Sequence, residues 1–184
     1  MPFVFVSGNL ALDFAGTLKW RRDVPEELLT SPDDVARWAV EAGILTEEPA
    51  ITADEFARLG ELREGVYRAV AATLNGEPWA ADDVRLLNSH AEGRPPRATL
   101  SPVTVVYTGD AESIGWSIAR AAIDLLTRAP GLRMLECQRE RCTRVFIDHS
   151  RTANRRWCGM EECGNRVKAA GYRGRKKHID RQAH

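Results

Sequence analysis

Residues 137–166 read CQRERCTRVFIDHSRTANRRWCGMEECGNR, and they hold all 4 cysteines of the 184-residue chain in the pattern C-x4-C-x15-C-x4-C. The pairs Cys137/Cys142 and Cys158/Cys163 share one internal spacing, the usual way a chain brings four thiolates to one tetrahedral zinc ion. Four sulfurs close the coordination shell and leave no position for water. Such a site is structural, and one zinc per chain is expected. Two disulfides or four free thiols are the alternatives, and in a reducing compartment clustered cysteines more often hold metal. A module this small buries little apolar surface, so metal binding, worth on the order of 10 kcal/mol, is the main term expected to fold it.

The residues between the pairs suggest the shape of the module. Residues 143–148 (TRVFID) are β-prone, with Val145 and Ile147 opposite Phe146 across a strand. Residues 151–154 read as a turn, and Arg155-Arg156-Trp157 leads back to Cys158. After Cys163, the spacing of Val167, Ala170 and Tyr172 predicts a helix. Knuckle, hairpin, second knuckle and helix is treble-clef order; a zinc ribbon is the alternative, without a helix at the fourth cysteine. The helix would project Arg166, Lys168, Arg173, Arg175, Lys176 and Lys177, and the hairpin would add Arg151, Arg155 and Arg156. Cations of this kind neutralise phosphates and release counterions. Asn165 and Arg166 also have the donors to pair with adenine and guanine edges. An arginine beside a zinc site can equally brace the hairpin, and a basic tail can simply be solvated.

Outward from this stretch, charge divides the chain. The net charge is zero, but residues 133–184 carry 14 Lys+Arg against 6 Asp+Glu, a net of +8, and residues 1–132 carry the compensating −8. A basic module behind an acidic body suggests a nucleic-acid partner for the module alone. Mutual attraction of the two parts is the plainer reading. The division predicts two units, 1–132 and 133–184. No apolar run approaches the roughly 18 to 20 residues of a membrane span. The N-terminus has no basic region of the kind that opens a signal peptide. A cytoplasmic protein without a membrane partner is expected.

Residues 3–18 (FVFVSGNLALDFAGTL) begin with a β-prone run and a turn at Ser7-Gly8-Asn9. The alternation of Leu10, Leu12 and Phe14 then predicts a hairpin or bulged strand. Asn9 and Asp13 sit among apolar neighbours and need partners; they either brace a loop or line a ligand pocket. Residues 19–30 read as a loop. Ser31-Pro32 opens a helix that stops at Gly43, and Thr52 with Glu55 has capping-box spacing for a long helix ending near Gly76. The charges on that helix read as a solvated face, with Arg63 the candidate inward-pointing anion ligand. A shorter helix follows over residues 80–91, then one or two strands over 98–107 broken at Pro102. A last helix, after Asp110, is expected to pack across the sheet of the early and middle strands. Trp20, Trp38, Trp79 and Trp116 read as core or core-edge, and no catalytic constellation is recognisable. The fold class is α+β: a small antiparallel sheet with about four helices, then a treble-clef-like four-cysteine finger.

Arg155-Arg156-Trp157-Cys158 and Cys163-Gly164-Asn165-Arg166, with the upstream pair Cys137 and Cys142, look like the CGNR zinc finger. The stretch Gly8-Asn9-Leu10-Ala11-Leu12-Asp13 resembles the ABATE domain that precedes this finger in bacterial proteins. The resemblance covers nearly the whole chain. It implies a stress-induced bacterial DNA-binding regulator, with zinc on Cys137, Cys142, Cys158 and Cys163 and a sensor or ligand-binding domain in front. One short finger makes few base contacts, so a homodimer or a partner is expected on DNA. RNA in place of DNA, a protein-binding adaptor, and a small-molecule enzyme with a purely structural zinc module are the competing readings.

Overall fold

At Asn9 the chain enters a helix, α1 (Leu10–Ala15), and not the second arm of a hairpin. The Asn9 side chain caps it: Oδ1 accepts from the amides of Ala11 (2.9 Å) and Leu12 (3.3 Å), donors that have no partner inside the helix. The alternation that predicted a strand is not the burial pattern. Ala11, Leu12, Phe14 and Ala15 are the buried positions, which is a helical stripe. Gly8 turns the chain ahead of the cap with φ at +78°, where any side chain would be strained. The structure, a computed structural model, describes residues 3–165.

Three of the other helices start where their caps predict. In α2 (Pro32–Glu41) Ser31 and Asp34 cap each other reciprocally, and Thr52 and Glu55 do the same for α3 (Ala53–Asn75). Helix α3 ends at Gly76, whose φ of +69° suits a residue without Cβ. Next come α4 (Ala81–Ala91) and α5 (Ala111–Arg128), the latter capped by Asp110. Helix α5 packs on α1, α3 and α4, burying Ile114, Ile118, Ala122 and Leu125 completely. Trp38 of α2 is also in the core, its ring 4.7 Å from that of Phe14, whereas Trp79 is 45% exposed.

The expected sheet beneath α5 does not form. Among the described residues the strands make three separate two-stranded antiparallel ribbons. The first, β1 (Leu18–Lys19) with β2 (Glu26–Glu27), lies, all but Leu18, inside the stretch read as a loop. The second, β3 (Arg97–Leu100) with β4 (Val105–Thr108), is a largely exposed hairpin around Pro102. The third pairs β5 (Met134–Glu136) with β6 (Val145–Ile147). With the β-prone start of the chain turning into α1, the apolar faces of the helices are covered by one another. The α+β class holds, with five α-helices, small antiparallel ribbons and a four-cysteine cluster among the described residues.

Strand β6 joins the cysteine module to the helices. Its side chains alternate: Val145 and Ile147 enter the helical core, and Phe146 enters the cysteine cluster. Met134 of β5 also belongs to the helical core, so the expected division at residue 132/133 runs beside a shared core. The N-terminal segment docks on the same strand, since the Ile147 amide donates to the Ser7 carbonyl at 2.8 Å. Asp13 holds that segment in place, its Oδ1 accepting from the amides of Val6 (3.0 Å) and Ser7 (2.9 Å). Asp13→Ala leaves two amides without their acceptor and is expected to cost about 1–3 kcal/mol. Urea unfolding of the zinc-loaded protein measures this, and an unchanged midpoint would remove the bracing role.

Candidate metal centre

Three of the cysteines are placed by backbone bonds, and Cys158 by its amide hydrogen bond to a neighbouring sulfur. Cys137 follows β5, and its amide donates to the Arg144 carbonyl at 2.9 Å. The Cys142 amide closes the first knuckle on the Arg139 carbonyl at 2.8 Å. Cys158 is reached after the turn, its amide pointing at the Cys137 sulfur (3.4 Å). Cys163 lies in a π-helical turn (Met160–Gly164) and is bonded back to the Gly159 carbonyl at 3.0 Å. Asn165 already has helical dihedrals, φ −66° and ψ −35°; the helix expected beyond it lies outside the described residues.

All four cysteines are buried, and their Sγ atoms lie within 4.8 Å of one another. The Cys142–Cys158 and Cys158–Cys163 sulfur separations are 3.8 and 3.6 Å. Sulfurs bound to one tetrahedral zinc at about 2.3 Å stand about 3.8 Å apart, whereas a disulfide needs about 2.05 Å. The cysteines are not disulfide-bonded, and they fit one structural zinc. Hydrogen bonds from Cys142, Cys158 and Cys163 hold the Cys137 thiol far below the ordinary thiol range. The same sharing with Cys137, Cys142 and Cys163 pushes Cys158 far above it. Four thiols this close cannot all give up protons until a cation compensates them, and zinc supplies that charge. Phe146, Trp157 and Leu135 seal the cluster, and Arg139 donates to the Cys163 sulfur at 3.8 Å.

The arginines expected on the nucleic-acid face divide. Arg155 turns inward. Its guanidinium donates to the carbonyls of Trp157 (3.0 Å), Ile147 (3.4 Å), Val6 (2.6 Å) and also Cys158, and lies 4.3 Å over the Phe146 ring. It ties the second knuckle to the N-terminal segment, because buried carbonyls there have first need of its donors. Arg151, Arg156 and Asn165 are exposed, Arg156 donating to Gln138 at 2.7 Å. Arg166, Lys168, Arg173, Arg175, Lys176 and Lys177 lie outside the described residues.

The three candidate ligand-pocket residues do not come together. Asn9 is occupied as a helix cap and Asp13 by the Val6 and Ser7 amides. Arg63 is turned inward as expected and lines a cavity of about 470 Å³ between α1, α2, α3 and β2, in which neither Asn9 nor Asp13 takes part. Its guanidinium holds Glu27 through two bonds of 2.6 Å and Glu64 through Nε at 2.9 Å. Burial works against its charge, but the Glu27 and Glu64 carboxylates raise its pKa above the ordinary arginine value.

Two features carry no signal in the sequence. One is Glu27, 36 positions from its partner Arg63, with no local pattern to mark it. The other is the turn of the first ribbon, which grips the first zinc knuckle with four consecutive residues. Trp20 lies under the Arg139 guanidinium (5.6 Å) and the Arg21 amide donates to Thr143 Oγ1 (3.3 Å). Arg22 pairs with Glu136, and Asp23 pairs with Arg141 at 3.0 Å.

Comparison with known families places both halves. The family model for ABATE, described as "putative stress-induced transcription regulator", matches residues 8–129. The model for the CGNR zinc finger matches residues 133–176. No curated protein matches the chain. No helix among the described residues is long and apolar enough to cross a membrane.

Elemental analysis should find one zinc per chain, and Cys158→Ser should lose it. Acidification should release the metal, because protons compete for the thiolates that bind it. Chelation should expose Phe146 and loosen the face of β6 shared with the helical core, read as faster hydrogen exchange over residues 145–147. A metal-free protein with unchanged exchange there would show that zinc does not organise the module.

Proposed function

Since the chain belongs to the ABATE family and carries a CGNR zinc finger, we propose that it is a DNA-binding transcription regulator. In this reading the finger is the reader and the N-terminal domain senses a small molecule or a stress signal. The observation that carries it is the junction at Cys163. A closed four-sulfur site, with no coordination position left for chemistry, ends where the chain's basic stretch begins. Exposed Arg151, Arg156 and Asn165 lie on the described part of that module. Arg166, Lys168, Arg173, Arg175, Lys176 and Lys177 extend the same charge along the sequence.

The acidic body does not seek a phosphate backbone, which leaves it for sensing. Bacterial cytoplasm is the proposed location. Two fingers brought together in a homodimer would read two half-sites and supply the base contacts that one short finger lacks.

Selection of binding sites from random DNA by the zinc-loaded protein, with and without a metabolite pool, tests the reader and the sensor together. Reversing Arg173, Arg175 and Lys176 to Glu should weaken binding without changing the unfolding midpoint. It should also flatten the salt dependence by about one logarithmic unit of slope for each phosphate left without its cation. Binding that ignores both salt and these substitutions would reject the nucleic-acid reading, and a preference for RNA over DNA would reject the transcriptional one.

A further inference from the structure

We propose that the cavity over Arg63 is the effector site, that its ligand is a small carboxylate with an apolar body, and that the ligand acts by displacing Glu27. The inference rests on the sensor reading above and adds a ligand class and a route of action. At about 470 Å³ the cavity has the size of a small-molecule site. Phe14, Leu29, Val35 and Phe56 give it apolar walls, and the Arg63 guanidinium is its cationic group. A guanidinium with 8% of its side chain exposed requires anionic partners.

The two carboxylates that serve it are not equivalent. Glu64 is its neighbour on α3 and is clamped from the other side by Arg21 through two bonds of 3.1 Å. Glu27 reaches in from β2, a two-residue arm, with no second arginine among the described residues holding it. It holds both terminal nitrogens of Arg63 in a bidentate pair and also accepts from the Leu29 amide (2.9 Å). A ligand carboxylate matches that planar fork and replaces Glu27 without leaving the arginine unpaired. The surrounding Phe and Leu side chains favour an uncharged remainder.

Displacement has a direct route to the finger. Glu27 is one end of the β1–β2 ribbon, whose ladder has two residue pairs, Leu18↔Glu27 and Lys19↔Glu26. The turn of the same ribbon is the 20–23 segment that grips the first zinc knuckle. Trp20 is in the left-handed region at φ 52°, a conformation that persists only where its surroundings hold it. Arg139, stacked on Trp20, also donates to the sulfur of Cys163, after which the basic stretch begins. Freeing Glu27 removes the anchor at one end of the ribbon and weakens the grip at the other.

The test uses the full-length zinc-loaded protein, with benzoate and hexanoate as probes and benzamide as the neutral control. Calorimetry should show both carboxylates binding and benzamide not. Glu27→Gln weakens the internal competitor and should tighten benzoate by about tenfold, since the charge-assisted bidentate pair no longer competes with the ligand. Arg63→Gln should abolish binding; since that substitution removes a buried charge and can unfold the domain, Glu27→Gln carries the decision. Hydrogen exchange over residues 20–23 and 137–143 should rise with benzoate, and should rise in Glu27→Gln without ligand. Benzamide binding as well as benzoate, or Glu27→Gln taking up neither carboxylate, overturns the site. If a metabolite pool alters DNA binding while that happens, the sensor reading survives and this cavity does not. If the carboxylates bind but exchange over 137–143 does not move, the route to the finger is overturned.

Discussion

Four thiols brought within 4.8 Å of one another, all buried, are an electrostatic problem that only a cation resolves, and the C-terminal part of the described chain is arranged around that fact. Hydrogen bonds among the four sulfurs hold the Cys137 thiol below the ordinary range and push that of Cys158 above it. A bound zinc would make them equal ligands, and the backbone bonds of Cys137, Cys142 and Cys163 serve to aim three of them. Phe146 points into this cluster, while Val145 and Ile147, its neighbours on the same strand, point into the helical core. The metal thereby supports more than a finger. It would hold a strand that pairs with β5, receives the N-terminal segment and sends Val145 and Ile147 into the helical core.

Inward-turned arginines are the second organising element, and each is committed by the groups packed around it. Arg155 faces carbonyls of the second knuckle and of Val6, so it is a brace, although its chemistry alone would equally suit a phosphate. Arg63 faces an apolar cavity that Glu27 also lines and pairs with Glu64 on its own helix, so its charge is balanced by residues from two different elements. The difference matters for function. A guanidinium bonded to main-chain carbonyls of a packed knuckle has nothing to exchange, whereas one paired with a side chain on a two-residue ribbon does. Between the two lies the 20–23 turn, which links the ribbon to the knuckle through a ring contact, a backbone bond and two ion pairs.

Much of this is legible in the residues. The equal spacing of the cysteine pairs identifies the ligands, because four thiolates at one point need little beyond chain connectivity to find each other. Ser31, Thr52 and Asp110 mark three helix starts, because a cap acts on amides two or three residues away. The alternation of Val145, Phe146 and Ile147 correctly separates two faces of one strand. These are local properties, set by the chain within a few residues.

What fails or stays hidden depends on distance along the chain. Leu10, Leu12 and Phe14 alternate like a strand, and only the surfaces of α3 and α5 determine that Ala11 and Ala15 are buried as well and that the segment is a helix. The sheet expected beneath α5 disappears with that strand. The partnership of Glu27 with Arg63, and of residues 20–23 with the zinc knuckle, joins segments that carry no mark of each other. By itself the sequence determined the metal, its ligands and most helix boundaries, because spacing and capping are short-range. Only the tertiary structure decided which partners the inward-facing arginines take and what the first ribbon touches, because a buried charge takes whatever partner folding brings to it.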